Sequence, residues 1–390
     1  MIERELTVKL QKAASQFPVL AIIGPRQSGK TTLVRHTFSE KPYVNLEALD
    51  TQAFAREDPR GFLENYPAGA IIDEAQRVPE LFSYIQVIVD ELQQSGMFIL
   101  TGSQNFLIQE NLSQTLAGRV AIFTLLPLSL EELKAAQHPL NRYEEYIFRG
   151  FYPRIYDKKI PPGDWYPSYI RTYLERDVRQ IKNTMDLSLF QKFIKLCAGR
   201  IGQLLNMSAL GNDCGISHNT VRSWLSLLEA SYVIFLLQPH HNNLKKRIVK
   251  MPKLYFYDTG VACTLLNIQF EQQLETHYLT GNLFENLVIS ELIKYRLNRG
   301  LSPNVYFWRD RTGNEIDCLL EFADHATPVE IKSGRTVTRD YFKGLFRWNK
   351  LSGGAPSQSY VVYGGNETQK RSDGNLLPWK SLTAIFEKLP

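Results

Sequence analysis

Cysteine is scarce in this chain of 390 residues: four stand at Cys197, Cys214, Cys263 and Cys318, far apart and in no ligand pair. That spacing excludes a disulfide scaffold and a zinc ribbon, and reads as buried thiols in a reducing cytoplasm. Long apolar runs are also missing. No stretch approaches the roughly 18 residues that a membrane-spanning helix needs, so no membrane partner is expected. The first ten residues, MIERELTVKL, set charges among the apolar positions, which argues against a secretory signal. A strong charge of one sign is absent overall, the net value being +5. The basic residues are nevertheless concentrated: between Phe151 and Tyr255, 16 Lys plus Arg face 7 Asp plus Glu, and the remainder of the chain is net negative. A basic middle between acidic ends is either a solvated surface or the footprint of a polyanion.

With 44% apolar and 22% charged residues, the chain is globular, and its length suggests several domains at about 100–200 residues each. The clearest motif is in VLAIIGPRQSGKTTLV. An apolar strand pattern over Val19 to Ile23 passes through glycines into a helical segment, and Gly24 to Thr31 reads G-x-x-x-x-G-K-T. In such a loop Gly24, Pro25, Arg26, Gln27, Ser28 and Gly29 wrap backbone N–H groups around phosphate oxygens. Lys30 reaches the β- and γ-phosphates, Thr31 offers a hydroxyl to Mg²⁺, and Thr32 beside it completes the expected nucleotide-binding set. ATP and Mg²⁺ are therefore the expected cofactors.

A second element, GAIIDEAQ, places Asp73 and Glu74 at the end of another apolar strand. Strand carboxyl ends converge on the ligand crevice of a doubly wound sheet, so Asp73 is expected to hold Mg²⁺ and Glu74 to orient the attacking water. A third strand from Met97 ends in Thr101, Ser103 and Asn105, which would face the same crevice and sense the γ-phosphate. Arg119, in LAGRVAIF, is the candidate for an arginine acting in trans in a homo-oligomer.

The segments GPRQSGKTTL, IIDEAQ, LTGSQN, LAGRV, LPLSLEEL, RGFYPRIY and YLERDV together resemble the bacterial and archaeal AAA-type ATPases that carry a C-terminal domain of unknown function. The resemblance spans nearly the whole chain. It implies a P-loop NTPase α/β domain, a helical and winged-helix middle, and a nuclease-like C-terminus.

The expected division is an ATPase domain over 1–135, a helical lid or linker over 136–185, a winged helix-turn-helix over 186–258, and a C-terminal domain over 275–390. In the third, a short helix from Ser208, a turn at Gly215 and a helix capped by Ser217 precede a strand and a basic return, with Val221, Leu225 and Leu228 on one apolar face. This arrangement directs His218, Asn219 and Arg222 toward a major groove and Lys245, Lys246 and Arg247 toward phosphates. Double-stranded or branched DNA is the expected partner. Winged helices also dock proteins, which leaves a signalling or protein-remodelling ATPase as an alternative. His218, His240 and His241 lack Cys or paired carboxylates nearby and read as polar surface or turn residues.

The C-terminal part poses a different puzzle. Glu285 sits on the apolar stripe of a strong helical pattern with Val288, Ile289 and Leu292, and a carboxylate there needs a partner. The hairpin NEIDCLLEFADHATPVEIKSG puts Asp317 on one strand and Glu330 and Lys332 on one face of the next. Glu285, Asp317, Glu330 and Lys332 together resemble the PD-(D/E)xK nuclease superfamily, without its leading proline. That resemblance implies a restriction-endonuclease-like α/β fold in which Glu285, Asp317 and Glu330 bind Mg²⁺ and Lys332 positions a water. It makes an ATP-gated, Mg²⁺-dependent DNA endonuclease the second alternative.

Overall fold

The computed structural model describes residues 2–103, 115–139, 141–174, 186–240 and 250–387. Strands β1 (Val19–Ile23), β2 (Tyr43–Asn45), β3 (Ile71–Asp73), β4 (Phe98–Gly102) and β5 (Val120–Thr124) form one sheet in the order β2-β3-β4-β1-β5. All its pairings are parallel. Parallel strands are covered on both faces and so read as unbroken apolar runs, as β1 does with five buried residues. Helices α1 (Leu6–Ala14) and α2 (Lys30–Thr37) close one face, where Leu6, Leu10, Leu33 and Val34 pack on Leu20, Ile22 and Ile99. The order places β1 between β4 and β5, so the loop after Ile23 and the ends of β3 and β4 meet at one sheet edge.

The middle of the chain is helical. Short helices Tyr143–Arg149, Pro153–Asp157 and Pro162–Tyr169 are followed by Leu187–Ala198, Met207–Cys214 and His218–Ala230. Asn206 caps the fifth of these through the Ala209 N–H at 3.0 Å. Gly215 ends it in the left-handed region, and Ser217 caps the sixth through the Thr220 N–H at 3.1 Å. Val221, Leu225 and Leu228 are buried as their spacing predicts. A two-stranded antiparallel hairpin, β6 (Ile234–Leu237) and β7 (Lys253–Phe256), completes this part. Lys245, Lys246 and Arg247 lie outside the described residues, as does His241.

The C-terminal part is a mixed sheet ordered β12-β13-β11-β10-β9-β8, from β8 (Val305–Arg309), β9 (Glu315–Glu321), β10 (Ala326–Lys332), β11 (Tyr360–Tyr363), β12 (Gln369–Arg371) and β13 (Gly374–Pro378). The long helix Thr280–Asn298 covers one face and the helix Lys343–Ser352 the other. The apolar core of the sheet's inner face is continuous with that of the middle helices and of the first sheet.

One expectation is corrected here. His240, expected at the surface, is 2% exposed. Its N–H donates to the Phe307 carbonyl at 2.7 Å and its ring meets Glu321 at 3.1 Å, so the end of β6 adds to the C-terminal sheet at β8. The turn residues around it suggested a solvated tip, but the backbone N–H and C=O groups of β8's outer edge needed partners.

Buried charge joins the parts further. Arg4, beside α1, donates to the carbonyls of Ser28 and Leu126 at 2.7 Å each and to Glu132 at 2.9 Å. On the long helix, Lys294 donates to the Leu128 carbonyl at 2.9 Å and Glu291 accepts the Leu130 N–H at 2.7 Å. Removing one member of a buried pair leaves an uncompensated charge, so Arg4→Ala is expected to cost about 3–5 kcal/mol of stability, read as a lowered urea midpoint at unchanged slope.

Candidate functional site

The phosphate loop is built where its backbone requires it. Gly24 has φ +148°, and a Cβ there would strike the Leu125 carbonyl of the strand alongside. Gln27 and Gly29 also take positive φ, and α2 begins directly at Lys30. The Lys30 ammonium is 6% exposed and donates to the carbonyls of Gly24 at 2.9 Å and Pro25 at 2.8 Å. Burial, set against the charges of Glu74 and Asp73, pulls its pKa down to about 8. Asp73 ends β3 and accepts hydroxyls from Thr31 at 2.9 Å and Tyr43 at 2.7 Å on one oxygen, and from Thr101 on the other. Glu74 follows in the left-handed region at φ 55°, where its carboxylate meets Gln76 and, at 3.1 Å, Ser103. A cavity of about 670 Å³ opens over Gly29, Lys30, Thr31, Asp73 and Glu74. Its far wall is Thr7 of α1 together with Arg154 and Lys158 around the helix Pro153–Asp157.

Mg²⁺ fits this set. Asp73 and Thr31 offer only oxygens, as a hard divalent cation prefers, and among the described residues no ammonium or guanidinium group bonds Asp73. The spacing that predicted Lys30, Thr31, Asp73 and Glu74 thus corresponds to one site, joined by Thr101 and Ser103; Asn105 lies outside the described residues.

Arg119 stands elsewhere. Its carbonyl accepts the Val19 N–H, which puts it at the amino end of β1 and β5, about 16 Å of strand from the loop after Ile23. Its guanidinium forks onto Asp90, with Nη2 to Oδ2 at 2.8 Å. His218, Asn219 and Arg222 are exposed together at the start of the helix His218–Ala230.

The four C-terminal residues also come together. Asp317 stands on β9 next to Cys318, which pairs with Val329 of β10, and accepts the Ile331 N–H at 2.8 Å. Lys332 bridges Asp317 at 2.9 Å and Glu330 at 2.6 Å. Glu285 reaches the cluster from the long helix but meets two residues of β7: Lys253 at 3.0 Å and the Tyr255 hydroxyl at 2.5 Å. Lys253 also pairs with Glu315, whose other oxygen takes Arg309 at 2.8 Å. Gly344 opens the helix Lys343–Ser352 against Glu330, and a Cβ there would collide with that carboxylate. Burial raises the pKa of Glu285, opposed by Lys253 and reinforced by Asp317. Burial followed by Asp317 raises that of Glu330. Burial works against the Asp317 carboxylate, but Lys332 and Lys253 outweigh it and hold its pKa down.

A divalent metal does not fit this cluster as it stands. An ammonium group already holds one oxygen of each of Glu285, Asp317 and Glu330. Among the described residues no three His, Cys, Asp or Glu side chains are disposed to hold a metal ion.

Comparison with known proteins agrees with the first site. Residues 16–134 match an AAA domain, while 140–272 and 280–382 match two domains of unknown function. Uncharacterized protein Rv2008c of Mycobacterium tuberculosis is 30% identical over 339 residues, covering 86% of this chain and 74% of its own length. The chain belongs to this family. The family's member in Mycobacterium bovis, Uncharacterized protein Mb2031c, gives the same figures. Among solved structures, the Walker-type ATPase paby2304 of Pyrococcus abyssi is 16% identical, with 69% of this chain and 96% of that one covered and a TM-score of 0.47. By its family match, residues 16–134 are an AAA domain. The second matched domain takes in the whole middle, including β7 and Lys253.

Sequence reasoning did not find Arg4, Tyr43, Lys253 or Tyr255. Lys253 and Tyr255 lie two apart on β7 and so share a face, which is the one local sign that the return strand has a polar task.

The Lys30 ammonium gives a pH signature. Polyphosphate favours its charged form, so binding raises a pKa that stands at about 8 without ligand. Affinity for a fluorescent ATP analogue with excess Mg²⁺ is expected to be flat below that pH. Above it, affinity should fall by up to about tenfold per pH unit. A profile flat through the alkaline range contradicts the assignment.

Proposed function

We propose that this AAA-type ATPase hydrolyses ATP to act on DNA. The observation that carries the hydrolytic half is the convergence of Lys30, Thr31, Asp73 and Glu74 on one cavity. Gly24 to Thr31 would cradle the triphosphate with backbone amides, and Lys30 would leave its loop carbonyls for the β- and γ-phosphates. Thr31 and Asp73 would hold Mg²⁺, which supplies charge neutralisation on the phosphates when bound. Glu74, kept in place by Gln76 and Ser103, would take the proton of the attacking water. Arg119 remains the candidate finger toward a neighbouring subunit. For that role it must exchange Asp90 for phosphate.

The DNA half rests on the middle. The helix-turn-helix with its hairpin supports a winged-helix reading, with His218, Asn219 and Arg222 presented together at one helix start. The local excess of basic residues favours nucleic acid over a protein partner. In the C-terminal domain, the assembly of Glu285, Asp317, Glu330 and Lys332 supports a restriction-endonuclease-like fold. No cleavage step follows, because lysines engage the acids.

Steady-state ATPase measured with and without duplex or branched DNA at low salt tests this reading. DNA is expected to raise the wild-type rate, and Arg222→Ala to blunt that rise and flatten its salt dependence. Glu74→Gln should retain nucleotide binding and lose about 10²–10⁴ in hydrolysis. A rate indifferent to DNA, with no DNA binding at low salt, would favour a protein-remodelling role.

A further inference from the structure

Lys253 belongs to the hairpin of the middle domain, yet its charge is spent in the next one. Its side chain is 4% exposed, with Nζ 3.0 Å from Glu285 and ion-paired to Glu315 as well. Nζ also stands over the Phe307 ring of β8. Lysine is almost never so buried unless paired, and here the side-chain partners among the described residues come from the C-terminal domain. Tyr255, on the same face of β7, donates to the same oxygen of Glu285. The hairpin thus presents a cation and a hydroxyl to the point where the acids of the nuclease-like constellation converge.

We propose that Lys253 is the resident cation of this acidic site, an ammonium supplied by the middle domain in the place a divalent metal would take. Lys332 belongs to the recognised four-residue pattern and spans Asp317 and Glu330 from the exposed side. Lys253 is outside that pattern and neutralises the inner side, Glu285 and Glu315. One oxygen of each of Glu285, Glu315, Asp317 and Glu330 is therefore taken by one of two ammonium groups, which bring the positive charge that a hard cation would otherwise supply. While β7 is docked, the site is a charge-paired joint between the middle and C-terminal domains. Withdrawal of Lys253 leaves Glu285 and Asp317 able to take a metal. The inference rests on the assembled constellation and on no claim about DNA or cleavage, so it fails or stands apart from them.

The test is thermal melting of the full chain without nucleotide, with and without millimolar Mn²⁺, in an Asp73→Asn background that silences the phosphate-loop metal site. With Lys253 in place, Mn²⁺ is expected to leave the melting temperature unchanged. Lys253→Met should melt lower in buffer, because Glu285 loses its counter-charge, and regain several degrees with Mn²⁺. Adding Asp317→Asn should abolish that gain, and Lys253→Arg should restore the metal-insensitive behaviour. A Mn²⁺ shift with Lys253 present, removed by Asp317→Asn, overturns the proposal. So does a folded Lys253→Met chain that Mn²⁺ does not stabilise. If Lys253→Met does not fold in buffer, refolding in Mn²⁺ decides: rescue supports the ammonium's metal-like role, and failure where Lys253→Met/Glu285→Gln folds contradicts it.

Discussion

A positive charge can stay in a protein interior only where oxygens surround it, and this chain's architecture follows from where it buries Arg4, Lys30, Lys253 and Lys294. Each satisfies that demand in a different way. Lys30 uses carbonyls of its own loop, which a triphosphate can replace. Arg4 takes the Ser28 carbonyl within the phosphate loop and the Leu126 carbonyl just past β5, so the N-terminal segment ties the loop to that strand's end. Lys294 takes the Leu128 carbonyl and lies 3.7 Å from the centre of the Phe151 ring, bringing the long helix against the AAA domain. Lys253 takes acids from the domain that follows it.

Three regions matched by separate family models are therefore one packed body. The apolar core passes from the first sheet through the middle helices to the C-terminal sheet, and the end of β6 is hydrogen-bonded to β8. The long helix carries Glu285 toward the acidic cluster near its start, and Glu291 and Lys294 toward the segment Leu126–Leu130 two turns later. The same helix thus meets the acidic cluster and, through Lys294, the carbonyl of Leu128, which lines the phosphate-loop cavity.

What the sequence disclosed was what local chemistry specifies. The phosphate loop is legible because glycine spacing, Lys30 and Thr31 are contiguous, and Asp73 because an apolar strand announces its own end. The two helices that meet at Gly215 were legible through Gly215 and Ser217, whose tasks are short-range, whereas the Asn206 cap that starts the first of them at Met207 was not used. Glu285 was recognisable as a carboxylate needing a partner, and the expected partner, Asp317, does stand near it. Its contacts in the structure, Lys253 and Tyr255, are 32 and 30 residues away in sequence and on another domain, and no periodicity encodes that meeting. Arg4 was hidden for the same reason, its partner Glu132 being 128 residues distant. His240 was misread because its neighbours look like a turn, whereas its burial comes from the edge of a sheet formed later in the chain. Lys253 itself was visible only as one more basic residue, since burial, not charge, is what gives it meaning.

The cavity beside Lys30 is the centre of the account, and a crystal structure with a non-hydrolysable ATP analogue and Mg²⁺ examines it most directly. The triphosphate should lie against the amides of Gln27 to Thr31, with the Lys30 ammonium moved from the Gly24 and Pro25 carbonyls onto phosphate oxygens and Asp73 facing the metal. A saturated crystal in which Lys30 keeps those carbonyls, and the analogue binds elsewhere or not at all, would contradict it.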